Sequence, residues 1–74
     1  MDALELVANF GTKVYIASAG DTILSLARKI YLSDDDRYQE ILRRVNQRMD
    51  WHNVRPGTEI RYVSSNAIKS YYGQ

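Results

Sequence analysis

Seventy-four residues leave room for one domain, and a chain this short buries only about 60% of the surface its unfolded form exposes. With no cysteine and one histidine, the sequence excludes a disulfide scaffold and gives no cluster of metal-ligand spacing, so neither staple of small domains is at hand. A net charge of +1 falls well short of the strongly basic footprint of a nucleic-acid-binding domain.

In chain order, Leu4, Leu6, Val7 and Phe10 form an apolar N-terminal arm over residues 1–12. Val14-Tyr15-Ile16-Ala17 is β-prone and bounded by small residues, which predicts a strand. Gly20-Asp21-Thr22 makes a turn and a helix start, with Asp21 or Thr22 as the cap. Ile23, Leu26, Ala27, Ile30 and Tyr31 then recur at helical spacing on one face. Ser33-Asp34-Asp35-Asp36 breaks the pattern. Asp36 with Gln39 resembles a capping box for a second helix, whose apolar face is Tyr38, Ile41, Leu42 and Val45. Asn46 suits a left-handed C-terminal cap. Residues 47–55 have no clean period and are expected as loop, Pro56-Gly57 is a turn signal, and Thr58 to Val63 alternates as a half-buried strand does. A C-terminal arm over 65–74 carries Ile68, Tyr71 and Tyr72.

The order strand, helix, helix, strand closes a two-layer α+β core if the terminal strands pair antiparallel and both helices pack on one side of them. That places the domain at 13–64. The arms either fold back to thicken this core or order against a neighbouring subunit; the expectation taken here is that at least one arm orders only against a neighbour.

No run approaches the roughly 18 apolar residues needed to cross a bilayer, and Asp2 and Glu5 stand where a secretory signal carries Lys or Arg. Synthesis in a cytoplasm, with no signal peptide and no membrane partner, is therefore expected. The charge is uneven. Residues 1–40 carry seven acids against four bases, while Arg43, Arg44, Arg48, Arg55, Arg61 and Lys69 outnumber Asp50 and Glu59 in the remainder. Arginine-rich blocks suit either a contact surface or a solvated face with internal pairs.

No catalytic residue, metal site or cofactor is expected. His52 is the lone imidazole, no phosphate loop or nucleophile motif occurs, and Asp34-Asp35-Asp36 lacks the alternating ligands of a calcium loop. Arg and aromatic residues together permit single-strand nucleic-acid binding, but the near-neutral balance speaks against it.

Tyr15, four residues, Gly20-Asp21-Thr22-Ile23 and Leu26-Ala27, followed by Leu42, Asn46 and Val54-Arg55-Pro56-Gly57-Thr58-Glu59-Ile60, resemble a LysM domain across roughly residues 14–63. The resemblance implies a βααβ fold with short N- and C-terminal extensions. In that family a shallow groove binds N-acetylglucosamine chains of peptidoglycan or chitin. Carried over, the groove takes Gly20, Asp21, Thr22 and Ile23 on one wall and Asn53, Val54 and Arg55 on the other; the plainer role of Gly20-Asp21-Thr22 is a turn and cap the fold needs whatever it binds. The departures are Ala17 in place of a larger β-branched residue, Leu32-Ser33 in place of a glycine, Val63 in place of a proline, and a longer, more polar loop over 47–54. They leave the fold intact and weaken the glycan assignment.

A lone glycan module binds weakly, and no second copy or linked enzyme is present here. Small free-standing LysM-like proteins resemble tail and baseplate proteins of contractile-tailed phages and related injection systems. The resemblance thus implies a virion adaptor between hub, tube and wedge proteins in a symmetric assembly, with a peptidoglycan binder as the alternative. Leu4, Leu6, Phe10, Arg43, Arg44, Arg48, Trp51, Tyr62, Tyr71 and Tyr72 are the candidate protein-contacting residues, being of types that interfaces favour or lying outside the core. Trp51 has three readings: interface anchor, cover for the domain's own core, or sugar platform.

Overall fold

The computed structural model describes residues 3–71, with backbone alone for Ala3 and Tyr71. The order is α1 (Ala3–Phe10), β1 (Lys13–Ile16), α2 (Ile23–Tyr31), α3 (Asp36–Val45), β2 (Glu59–Tyr62) and α4 (Ser65–Tyr71). The described residues form a small α+β domain of four helices and a two-stranded antiparallel sheet.

The expected strand pair forms. Lys13 lies opposite Tyr62, Val14 opposite Arg61, Tyr15 opposite Ile60 and Ile16 opposite Glu59. Ile60 is fully buried while its neighbours Glu59 and Arg61 are exposed, so β2 turns one face to the core. Beyond β1, Ala17 donates its N–H to the Thr58 carbonyl at 2.9 Å and its carbonyl accepts from the Gly57 N–H at 2.8 Å. Gly57 reaches this position with φ +87°, a conformation that a side chain disfavours, which accounts for glycine in the turn.

Local chemistry explains both central helices, decides between the two caps offered for α2 and corrects the one expected for α3. Thr22, not Asp21, caps α2: its hydroxyl accepts the Ser25 N–H at 3.1 Å, and Ser25 Oγ accepts the Thr22 N–H at 2.8 Å. Leu26, Ala27 and Tyr31 are buried and Ile23 and Ile30 partly so, as the periodicity requires. Asp35, not Asp36, caps α3, accepting the Arg37 N–H at 2.9 Å. Gln39 sits too far along to close a box and instead reaches the Asp34 carbonyl at 3.4 Å. The left-handed C-terminal cap also falls elsewhere than expected. Asn46 ends α3 at φ −118°, outside the left-handed region, whereas Leu32 ends α2 inside it at φ +57°. Leu32 stands where a glycine is favoured, and it is 89% exposed.

The core draws on every helix. Leu6, Leu26, Leu42, Ile60 and Val63 are fully buried, and Ala17, Ala27, Tyr31, Ile41, Ala67 and Ile68 join them. The expectation that one arm orders only against a neighbour is corrected here. α1 packs on α3 and α4, which puts Leu6 at the centre of the core, and α4 buries Ala67 and Ile68. Ser64 starts α4, accepting the Ala67 N–H at 3.2 Å. Burying side chains of this size contributes about 1.5–3 kcal/mol each, which a domain without a disulfide needs. Among the described residues no helix is long and apolar enough to cross a membrane.

Three tyrosines tie the helices to the sheet. The Tyr31 and Tyr38 rings stack with centroids 4.6 Å apart, and Tyr62 meets Tyr31 edge-on at 6.4 Å. The Tyr31 hydroxyl donates to the Val63 carbonyl at 2.8 Å, and burial holds its phenol well above the ordinary range.

Candidate functional site

Gly20-Asp21-Thr22 is spent on the fold. Asp21 is a buried carboxylate whose Oδ2 accepts the Ser18 N–H at 2.8 Å. Its Oδ1 accepts from Ser25 Oγ at 2.9 Å and from Lys29 Nζ at 2.6 Å. The Lys29 hydrogen bond, followed by that of the Ser18 N–H, holds the Asp21 carboxyl below the usual carboxylate range, against the opposing effect of burial. The same contact raises Lys29. Thr22 is occupied by its capping box, and Gly20 takes the turn at φ +82°.

Of the seven residues assigned to a glycan groove, Thr22 and Ile23 line one cleft. Its other walls are Arg43 from α3 and the segment Met49, Asp50, Trp51 and His52, enclosing about 490 Å³. Gly20, Asp21, Asn53, Val54 and Arg55 are not part of this lining. Val54 instead packs against the core, while Asn53 and Arg55 are exposed. The loop holds its own shape: Asp50 accepts the His52 N–H on its side chain at 3.0 Å and the Asn53 N–H on its carbonyl at 3.1 Å. Trp51 is half-buried, packing on the core and bordering the cleft, so it acts at once as core cover and as cleft wall.

A second groove of about 530 Å³ runs between α1 and the end of α3, lined by Leu4 and residues 44–50. It unites Leu4, which is 65% exposed, with Arg44 and Arg48, three of the candidate contact residues. Leu6 is removed from that set because it is fully buried. Phe10 is exposed, and Tyr62 is half-buried beneath Tyr31. Tyr72 lies outside the described residues, as does the Tyr71 side chain.

No family model, curated protein or solved structure matches the chain. The site therefore rests on its own chemistry.

Part of the charge imbalance between the two halves of the sequence is offset by ion pairs across the boundary. Glu40 pairs with Arg43 at 3.4 Å and with Arg44 at 3.3 Å, straddling the boundary on one helix. Arg48, Arg55 and Arg61 are exposed and form no ion pair among the described residues. The three consecutive aspartates go separate ways. Asp34 pairs with Arg28 at 3.4 Å, Asp35 caps α3 and pairs with Arg37 at 3.3 Å, and Asp36 enters the first turn of α3. The Arg37 N–H and guanidinium lower the Asp35 carboxyl. Among the described residues no group of three His, Asp or Glu is placed to hold a metal ion.

Met49 and Asp50 were not legible as cleft residues, and His52 only as a neighbour of Trp51. They stand in an aperiodic loop, where sequence spacing says nothing about which face a residue lines.

Proposed function

We propose that the chain is a LysM-like βααβ domain, built from β1, α2, α3 and β2, that acts as a non-enzymatic structural adaptor. Its setting is the baseplate of a contractile phage tail or a related injection machine, where it joins neighbouring hub, tube or wedge proteins. One observation carries the choice of protein over glycan as ligand. The polar groups of Asp21 and Thr22, which a glycan wall needs free, are committed to Ser18, Ser25 and Lys29 inside the domain. The groove of Leu4, Arg44 and Arg48 supports the same reading, since it combines an exposed aliphatic side chain with guanidinium groups. Arginine beside apolar surface is a combination protein interfaces favour.

The peptidoglycan reading keeps one observation of its own. Ile23 and Trp51 face the same cleft, an apolar and aromatic pair that suits an N-acetyl methyl and a sugar face.

Retention on purified peptidoglycan and chitin, set beside cross-linking mass spectrometry of assembled tail particles, separates the two. Cross-links to tail proteins at residues 4, 44 and 48 without retention on either polymer are expected. Retention on the wall polymers, with no cross-linked partner in particles, sinks the adaptor reading.

A further inference from the structure

A two-stranded sheet has two outer edges, and among the described residues only the edge of β2 is closed. Asn46 at the end of α3 accepts the Arg61 N–H on Oδ1 at 3.0 Å and donates from Nδ2 to the Arg61 carbonyl at 2.8 Å. The amide side chain thus occupies the place of a third strand. Among the described residues the edge of β1 has no such cover. Because the Ala17 N–H bonds to the Thr58 carbonyl, the register puts Lys13, Tyr15 and Ala17 in the set whose backbone groups face β2. The N–H and C=O groups of Val14 and Ile16 therefore point away from β2, and no described group bonds to them. Their side chains lie on the outer face at 43% and 54% exposure, and no helix packs on β1 to the extent that β2 does.

We propose that this edge pairs with the same edge of a second copy of the chain, antiparallel about Tyr15, to make a four-stranded sheet. In that register Val14 faces Ile16 of the second copy and the reverse, each pair exchanging two N–H to C=O bonds. Lys13 falls opposite Ala17 of the second copy, so no like charges meet directly. On the outer face the row across the four strands reads Arg61, Val14, Ile16 of the second copy, Glu59 of the second copy. Two such rows give a strip of four aliphatic side chains with opposite charges at its corners, complementary to itself under the two-fold rotation. A strand from an unrelated protein would have to supply this alternation and spacing; the chain already carries it. A net charge of +1 adds little repulsion between copies. Four backbone bonds along a four-residue strand bury less than the roughly 1,000 Å² of a stable interface, so the pairing is weak in free solution. It gains strength where copies are held near each other.

Sedimentation velocity on the full chain, from about 10 μM toward about 1 mM, tests the pairing. The weight-average mass is expected to rise from 8.6 kDa toward twice that value. Val14→Pro removes an N–H that the β1–β2 ladder does not use, and Ile16→Lys sits beside Glu59 of its own chain, so both are expected to keep the wild-type circular dichroism and stay monomeric. The native chain has no cysteine, so disulfide trapping reads the register: mixed Val14→Cys and Ile16→Cys proteins should cross-link several-fold faster than either alone. A wild type that remains monomeric throughout overturns the proposal and leaves the edge to a strand from another protein. Folded Val14→Pro and Ile16→Lys proteins that associate as the wild type does, or cross-linking equally fast in one cysteine variant alone, also overturn it.

Discussion

Tyr15 and Ile60 lie directly opposite each other across the β1–β2 ladder, although both central helices separate them in sequence. Because Ile60 is fully buried, this pair fixes which face of the sheet meets α2 and α3.

Asp21 links the turn after β1 to α2. Its carboxyl is held below the ordinary value of 3.8, so its contribution to stability is fully present above that value and is lost as pH falls through the lower folded value. Asp21→Asn is expected to cost about 1–3 kcal/mol at neutral pH, because a buried site loses its charge-assisted bonds. It should also flatten the acid limb of stability against pH. Urea unfolding between pH 7 and pH 2 measures both; an unchanged acid limb would contradict the assignment.

Leu32 adopts a left-handed backbone with its side chain almost wholly in solvent. That conformation costs a non-glycine residue about 1–2 kcal/mol and no packing is at stake. Leu32→Gly should therefore raise stability by about 0.5–1 kcal/mol after the entropy that glycine adds to the unfolded chain. Thermal unfolding should shift upward by a few degrees, and a decrease would show that Leu32 makes contacts its exposure does not suggest.

Asn46 satisfies the Arg61 N–H and carbonyl and also donates to the Leu42 carbonyl at 2.9 Å. Asn46→Ala is expected to destabilise by about 1–2 kcal/mol. Asn46→Asp should be the more harmful change, because a carboxylate oxygen would replace the nitrogen that donates to two carbonyls. Equal midpoints in denaturant for the two variants would contradict the bridging role.

Tyr31→Phe keeps the ring stack on Tyr38 and deletes the hydroxyl that serves the Val63 carbonyl. A loss of about 1–2 kcal/mol is expected, with the near-ultraviolet dichroism of the aromatic cluster retained. In alkaline titration of the wild type, the Tyr31 phenol should resist ionisation until the chain unfolds, since burial raises it.

The parts of the fold governed by short-range rules were readable. The apolar spacing of Ile23, Leu26, Ala27 and Tyr31, the alternation around Ile60 and the turn at Gly57 each imposed a period or a backbone angle that the order of residues alone reveals. The arms were not readable, because in α1 one fully buried side chain, Leu6, anchors a helix in which Leu4, Val7 and Phe10 remain partly or largely exposed. That pattern is too sparse to separate a docked helix from a free arm. Asn46 is misplaced by its residue type for a related reason, and the sequence assigns no cap to Leu32. Residue type suggests a cap, but the strand that Asn46 bridges lies 15 positions away in sequence, and Leu32 carries no glycine signal at all. The cleft was half legible, since Thr22 and Ile23 belong to a motif whereas Met49 to His52 belong to a loop without one.

The relationship between the two strands is open to a direct check by nuclear magnetic resonance on the free chain. Strong Hα–Hα cross-peaks are expected for Val14 with Arg61 and Ile16 with Glu59, the non-hydrogen-bonded pairs where the Cα atoms approach to about 4.5 Å. Slow amide exchange should accompany them at Tyr15 and Ile60. Absence of both cross-peaks in a folded sample, or protection at Val14 and Ile16 with rapid exchange at Tyr15 and Ile60 in the monomer, would contradict the register and the antiparallel sheet drawn from it.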